Sequence, residues 1–196
     1  MDFQKYHSNT DSKVILVGDT SVGKTSILSQ YNTHSIDANI ESTIGASFQT
    51  KKVETRSGKI VNFLLWDTAG QERYRSLIPM YSRNSVACII VIDASSMSSY
   101  ESLEFWYDIA KENCPVYCKF YICVNKIDLT VMIPMDALED WAKQKGFKLF
   151  KTSALDYNTI EPMFLEISED ISESNEIQQN EQNCLVENKQ ENKSCC

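Results

Sequence analysis

Three features that would direct a chain to a membrane, a secretory route or nucleic acid are missing from this sequence of 196 residues. No apolar run approaches the ~20 residues that span a bilayer, and residues 1–12 lack the apolar stretch of a signal peptide. Basic residues are outnumbered, with 19 Lys and Arg against 27 Asp and Glu, which argues against binding to nucleic-acid phosphates. We therefore expect a chain that binds no nucleic acid and stays in the cytosol unless an anchor holds it at a membrane. We also expect a monomer.

Disulfide bonds are not expected either, although the chain has seven cysteines. Cys88 and Cys123 sit inside apolar runs, and a cytosolic chain of this size has no need of covalent cross-links. Cys195 and Cys196 differ, because they follow a polar segment at the C-terminal end. The chain has no internal repeats.

Short apolar runs alternate with segments of helical spacing. The runs cover residues 14–17, 60–66, 86–92, 117–124 and 147–150; the helical segments cover residues 25–31, 99–113, 135–145 and 160–171. Unbroken short runs suit strands that are buried on both faces of a parallel sheet, and the alternation predicts a doubly wound α/β fold. Residues 47–55 and 60–66 are joined by only four residues, which predicts one antiparallel hairpin.

The composition divides the chain into three parts. Residues 1–12 are predicted to be a flexible N-terminus and residues 13–171 a single domain. Residues 172–196 are rich in Asn, Gln, Glu and Ser, so they bury too little apolar surface to offset their ordering entropy. We expect this tail to be disordered.

The strongest motif is GDTSVGKT at residues 18–25, which fits G-x-x-x-x-G-K-[ST] between a predicted strand and a predicted helix. Its backbone N–H groups and the helix N-terminus suit phosphate oxygens, and Lys24 can reach the β and γ phosphates. The Thr25 hydroxyl suits Mg²⁺. The motif alone predicts a nucleoside triphosphate and leaves the base and the reaction open.

A second motif, Asp67-Thr68-Ala69-Gly70, follows the predicted strand 60–66. Ligands of open parallel sheets bind beyond the carboxyl ends of the strands, so Asp67 is predicted on the same rim as the phosphate loop, where it can hold the metal. Gly70 would let a backbone N–H approach the terminal phosphate. Taken by itself, D-x-x-G is usually a turn.

The base is predicted from Asn125-Lys126-Ile127-Asp128, which follows the run 117–124. A carboxylate such as Asp128 accepts hydrogen bonds from both N1–H and the exocyclic amine of guanine, whereas adenine lacks this donor pair. After the run 147–150, a backbone N–H of Ser153-Ala154-Leu155 could meet the guanine carbonyl oxygen. The motif therefore favours guanine.

Together these motifs resemble those of the small GTPases of the Ras superfamily, and within it the Rab family, over residues 13–171. The resemblance implies a Ras-like P-loop fold: a six-stranded mixed sheet with one antiparallel edge strand and helices on both faces. Segments 41–45 (ESTIG) and 66–74 (WDTAGQERY) are similar to the two Rab switches. The implied nucleotide-binding positions are Gly18, Asp19, Thr20, Ser21, Val22, Gly23, Lys24, Thr25, Ser26, Ile36, Thr43, Gly70, Asn125, Lys126, Asp128, Ser153, Ala154 and Leu155.

The resemblance also implies a mechanism and partners. Thr25, Thr43 and Asp67 would hold Mg²⁺, Lys24 would stabilise phosphate charge, and Gln71 would orient the attacking water. GTP hydrolysis would be slow, with an arginine supplied by an activating protein. Further implied partners are an exchange factor, a GDP-dissociation inhibitor or escort protein, and effectors.

Effectors would read an apolar surface formed by Phe48, Trp66 and Tyr81, although these rings, and Phe48 above all, could instead belong to the core. Residues 41–48 (ESTIGASF) resemble the endosomal Rab branch, whereas residues 76–79 and 83–85 also resemble a Golgi branch. We favour the endosomal branch.

Two positions depart from the family pattern. Ile36 stands where the family usually has an aromatic residue on the guanine ring, and Leu155 replaces a lysine common after Ser-Ala. The missing aromatic ring at Ile36 predicts looser nucleotide binding, and the missing lysine side chain at Leu155 predicts a more permissive site. They keep open the alternative of a GTP-binding scaffold with little or no hydrolysis.

The final Ser194-Cys195-Cys196 resembles the Rab double-cysteine prenylation site. One lipid chain anchors a protein only marginally, and this tail lacks a polybasic patch that would add a second signal. Two prenyl groups on Cys195 and Cys196 are therefore predicted. They would hold the protein on the cytoplasmic face of intracellular membranes, from which it would cycle to the cytosol.

Overall fold

A computed structural model describes residues 11–35, 43, 45–70 and 76–191, and after residue 175 it describes only the backbone. Within this part of the chain, six strands form one sheet in the order β2-β3-β1-β4-β5-β6. The strands are β1 (Asp11–Val17), β2 (Ala46–Glu54), β3 (Ile60–Thr68), β4 (Ala87–Asp93), β5 (Lys119–Asn125) and β6 (Lys148–Lys151).

The edge strand β2 is antiparallel to β3, with Ala46 opposite Thr68 and Glu54 opposite Ile60. All other neighbours are parallel. The predicted six-stranded mixed sheet with one antiparallel edge strand is therefore confirmed.

The central strands are buried on both faces, as their unbroken apolar runs predict. Every residue of β4 is buried. Along β1, Val14 and Leu16 belong to one hydrophobic cluster, while Ile15 and Val17 belong to a second cluster on the other side of the sheet, because successive strand side chains point to opposite faces. The two clusters are the two halves of the core.

Helices cover both faces. They are α1 (Lys24–Thr33), α2 (Ile78–Ser82), α3 (Met97–Glu101), α4 (Leu103–Asn113), α5 (Met135–Lys145) and α6 (Tyr157–Glu191). Helices α1 and α6 contribute Ile27, Leu28 and Phe164 to the cluster that contains Leu16. Helices α2, α4 and α5 cover the opposite face. No helix in the described ranges is both long and apolar enough to cross a bilayer.

Two helical boundaries differ from the predictions. The single helix predicted over residues 99–113 is divided into α3 and α4 at Ser102, whose hydroxyl donates to the Ser98 carbonyl at 2.9 Å; such bonds compete with the helical backbone pattern. The short helix α2, with Pro79 in its first turn, was not predicted, because five residues are too few to show a helical period.

The last helix is longer than predicted. It begins at Tyr157 instead of residue 160 and continues to Glu191 instead of ending at residue 171. The disordered tail expected over residues 172–196 stays a prediction, although the backbone is helical as far as Glu191. Glu, Gln and Lys have good helix propensity, and a helix already held by packed residues such as Ile167 and Ile171 extends at low cost. The functional role of residues 172–196 stays a prediction.

Candidate nucleotide-binding site

Four segments that carry the predicted motifs meet at one edge of the sheet. The phosphate loop follows β1, Gly70 follows β3, Lys126 follows β5, and Ser153 follows β6. The strands β1, β3, β5 and β6 run parallel, so their carboxyl ends share this edge. A cavity of about 410 Å³ lies there.

Most of the predicted nucleotide-binding residues line this cavity. They are Thr20, Ser21, Gly23, Lys24, Thr25, Ser26, Thr43, Gly70, Asn125, Lys126, Asp128, Ala154 and Leu155. Thr68 also lines the cavity and was not predicted. Gly18, Asp19, Val22 and Ser153 are not among the lining residues. Ile36 and Gln71 lie outside the described residues, as do Cys195 and Cys196.

The phosphate loop owes its shape to two glycines. Gly18 has φ +143°, and a Cβ there would lie 2.2 Å from the Val91 carbonyl oxygen, so no other residue fits. Gly23 has φ +99° and immediately precedes helix α1, which favours glycine because L side chains rarely adopt this conformation. The turn brings the N-terminus of α1 to the cavity, where its positive end suits an anion.

Lys24 is the buried cation of the cavity. Its Nζ donates to the carbonyl oxygens of Gly18 at 2.8 Å and of Asp19 at 2.7 Å. Burial lowers the pKa of Lys24 to about 8, against the opposing effects of the Asp67 and Asp19 carboxylates. A phosphate oxygen beside this ammonium would restore the charged form, because an opposite charge favours it.

Three oxygen-bearing side chains converge beside Lys24. The Asp67 Oδ2 atom accepts from the Thr25 hydroxyl at 2.7 Å and from the Thr43 hydroxyl at 3.0 Å, and the two hydroxyls are 3.0 Å apart. Asp67 Oδ1 is buried and has no hydrogen-bond partner among the described residues. Burial raises the pKa of Asp67 despite the Thr25 hydrogen bond and the Lys24 charge. An unpaired carboxylate oxygen within an all-oxygen set fits Mg²⁺.

Asn125, the last residue of β5, joins two loops that line the cavity. It is fully buried, and its Nδ2 donates to the Val22 carbonyl at 2.8 Å. Its Oδ1 accepts from the Ala154 N–H at 3.0 Å and from the Thr152 hydroxyl at 3.2 Å. The side chain therefore holds the phosphate loop and the loop after β6 against the end of β5.

Lys126 and Asp128 are each held by a neighbour. Ser153 donates through its hydroxyl to Asp128 Oδ1, which leaves the other carboxylate oxygen for a ligand. Lys126 Nζ lies 2.6 Å from Asp93 Oδ2. Burial raises the pKa of Asp93, but hydrogen bonds from Lys126 and Ser95 outweigh it and hold this pKa below its usual range. Asp93 was not predicted, because it follows no recognisable motif at the end of β4.

The predicted effector surface is an aromatic row beside this edge. The Phe48 and Trp66 rings lie 5.6 Å apart and the Trp66 and Tyr81 rings 5.8 Å apart, measured between centroids. Phe48 is 61% exposed, so the alternative that it belongs to the core is wrong. The three rings form one partly exposed surface.

The fold and the cavity define an α/β protein of the P-loop nucleotide-binding class, and comparisons with known proteins identify the family. The sequence model of the Ras family matches residues 13–173. The chain is 42% identical to the Ras-related protein Rab-31 of Rattus norvegicus over 161 residues. This aligned segment covers 81% of this chain and 82% of that protein. It is 42% identical over 159 residues to the Ras-related protein Rab-22A of Homo sapiens, covering 80% of this chain and 81% of that relative.

The chain therefore belongs to the Ras family and, within it, to the Rab small GTPases. Its enzymatic activity is GTP hydrolysis, and its fold is the Ras-like GTPase fold.

Proposed function

We propose that this GTPase is a membrane-anchored switch of intracellular vesicle trafficking, which hydrolyses GTP slowly alone and faster with an activating protein. The observation that carries the proposal is the meeting of both switch segments at the phosphate loop. Thr43 reaches Thr25 and Asp67 by its hydroxyl. A Cβ on Gly70 would lie 2.3 to 2.4 Å from the backbone of Asp19 and Thr20.

Mg²⁺ would be held by Thr25, Thr43 and Asp67. The metal, when bound, neutralises charge on the phosphate oxygens. The two threonine hydroxyls donate to Asp67 Oδ2 and so orient the carboxylate. The buried Oδ1 atom, which has no hydrogen-bond partner among the described residues, would have the metal to bind. Lys24 adds a second cation within reach of the phosphates.

Hydrolysis then depends on charge stabilisation by Lys24 and on orientation of water by Gln71. Phosphoryl transfer needs positioning and electrostatics more than covalent chemistry. The lining residues of the cavity in the described part of the chain include no arginine, which supports slow turnover and a need for an arginine from an activating protein.

Switching would follow from the same contacts. In the GTP state, Thr43 and Gly70 tether the two switch loops through the γ phosphate, and hydrolysis releases them. Effectors would bind the surface of Phe48, Trp66 and Tyr81 only in the tethered state, because Tyr81 and Phe48 follow the two tethered segments. The other proposed partners are an exchange factor and a GDP-dissociation inhibitor or escort protein.

Membrane attachment would come from prenyl groups on Cys195 and Cys196. The likeness of residues 41–48 to the endosomal branch favours endosomal membranes over the Golgi. Mass measurement of protein purified from its native cell tests the lipid, since two prenyl groups add a defined mass that bacterially produced protein lacks. Unmodified thiols in the native protein would refute the anchor.

The switch is tested by single-turnover hydrolysis of GTP with and without a Rab-activating protein. We expect slow basal turnover, strong stimulation, and loss of stimulation in Gln71→Leu with GTP binding retained. The comparison uses an activator that supplies no glutamine of its own. Equal stimulation of wild type and Gln71→Leu would remove Gln71 from the mechanism.

A further inference from the structure

Asp19 of the phosphate loop is held by a residue far away in the chain. Its Oδ1 atom accepts a hydrogen bond of 2.9 Å from the indole Nε1 of Trp106, which lies 87 positions further on in helix α4. Trp106 has no exposed surface, whereas Asp19 is half-buried. A buried indole N–H needs an acceptor, and here a carboxylate of the phosphate loop supplies it.

The backbone of Asp19 is also the point where the other parts of the site meet. Its carbonyl oxygen accepts from Lys24 Nζ at 2.7 Å. The peptide between Asp19 and Thr20 lies so close to Gly70 that no Cβ fits there. A change in the orientation of Asp19 would therefore displace both the Lys24 ammonium and the backbone against which Gly70 of the second switch packs.

The hydrogen bond from Trp106 also sets the direction in which the Asp19 carboxylate points. A carboxylate beside a cavity for phosphates repels the ligand unless it is turned away. Asp19 is not among the lining residues of the cavity, and its carboxylate accepts a charge-assisted hydrogen bond from the indole, which is stronger than a neutral one. The loop thus keeps an acidic residue without presenting it to the phosphates.

Core packing alone does not account for this contact. The Trp106 ring belongs to the cluster of Ile90, Ile92 and Leu138 under α4, and a phenylalanine would fill most of that space. The same cluster contains Ile78 of α2, so α4 contacts both the phosphate loop and the helix that follows the second switch.

We propose that Trp106 is a positioning residue for nucleotide binding, which fixes the Asp19–Thr20 peptide through the Asp19 carboxylate. The inference rests on the proposed nucleotide site. Loss of the Trp106–Asp19 hydrogen bond would weaken the Lys24 hydrogen bond to the Asp19 carbonyl and the close contact of Gly70 with the Asp19–Thr20 peptide. GDP would therefore dissociate faster.

A double-mutant cycle tests the proposal. The full-length protein is prepared as wild type, Trp106→Phe, Asp19→Ala and the double variant, and dissociation of a fluorescent GDP analogue is timed with Mg²⁺ present. We expect each single change to accelerate release about tenfold, the order of a hydrogen bond to a charged group. The double variant should be no faster than the faster single variant by more than about twofold.

Conservative and matched controls separate positioning from stability. Asp19→Asn keeps an acceptor oxygen but makes a neutral hydrogen bond in place of the charge-assisted one, so its rate of GDP release should lie between those of wild type and Asp19→Ala. Trp141→Phe removes an indole that also donates to a carboxylate, Glu104 Oε1 at 3.4 Å, but away from the cavity; its GDP release should equal that of wild type.

A spectroscopic signature supplies a readout that packing would not move. The indole N–H resonance of Trp106 should shift upfield in Asp19→Ala and stay near its wild-type position in Asp19→Asn. These two variants leave the core intact, so they test the proposal even when Trp106→Phe does not fold.

Multiplicative acceleration in the double variant, or an unshifted indole resonance in Asp19→Ala, would overturn the inference. Wild-type protein that binds no GDP would instead refute the proposed nucleotide site. The two failures are therefore distinguishable.

Discussion

Replacement of Asn125 by alanine should weaken nucleotide binding strongly, although the asparagine side chain carries no charge. The side chain makes three hydrogen bonds, to Val22, Ala154 and Thr152. Together they hold the loops on both sides of the cavity. Alanine removes all three and leaves the Val22 carbonyl and the Ala154 N–H without these partners.

The magnitude follows from the number and burial of these bonds. An orphaned buried group costs about 1 to 3 kcal/mol, and Asn125→Ala orphans two of them, so the change should cost about 2 to 6 kcal/mol in total. The same bonds stabilise the fold and shape the cavity, so the loss divides between unfolding and binding. If about 2 kcal/mol appears in binding, the Kd for GDP rises roughly thirtyfold.

Two measurements on one preparation check this prediction. Titration calorimetry gives the Kd for GDP, and urea unfolding gives the free energy of unfolding. Thr152→Val is the control, since of the three Asn125 bonds it removes only the longest, together with the 3.2 Å contact between the Thr152 hydroxyl and the Cys123 thiol. It should raise the Kd by less than about fivefold. An unchanged Kd together with an unchanged free energy of unfolding in Asn125→Ala would refute the reasoning.

Three further predictions concern the second switch, the aromatic surface and the last helix. Gly70→Ala forces its segment off the phosphate loop, because the new Cβ would lie 2.3 Å from Asp19; calorimetry should show a larger loss of affinity for a non-hydrolysable GTP analogue than for GDP, and equal losses would contradict it. Phe48→Ala should lower the free energy of unfolding by less than about 1 kcal/mol, since the ring is largely exposed, while abolishing effector capture; a loss of about 3 to 5 kcal/mol in urea would instead mark a core residue. Lys148 donates to Glu166 at 2.7 Å, and this bond lowers the pKa of Glu166. The pair therefore adds stability above the unfolded value of 4.5 and loses it as the pH falls; Lys148→Met should lower the Tm at pH 7 but not at about pH 3, and an equal decrease at both would exclude the ion pair.

The central strands of the sheet were predictable from the sequence because they are buried on both faces. Each apolar run marks a strand to within a few residues, and the motif after each run falls at the carboxyl edge by the rule for parallel sheets. This is why Lys24, Asp67 and Asn125 were expected at one site before their positions were known.

Contacts between distant segments were not predictable in the same way. The bond between Asp19 and Trp106 depends on how α4 lies over the sheet, and in the sequence Trp106 reads only as an apolar position of a helix. Asp93 likewise ends β4 without a motif, and its role is visible only from Lys126 beside it.

The predictions of two helical boundaries were wrong for local reasons. The break at Ser102 depends on one side-chain bond to the backbone, which helical spacing does not report. The extension of α6 past residue 171 depends on helix propagation from a packed segment, whereas composition alone describes the tail as polar.

Guanine selectivity is the central claim, because the roles of both switches and of Asp128 depend on it. Titration calorimetry of purified, folded, nucleotide-free protein with GDP and with ADP, each with Mg²⁺, tests it most directly. We predict tight binding of GDP and no measurable binding of ADP at the same concentrations. Equal affinities for the two nucleotides would contradict the account.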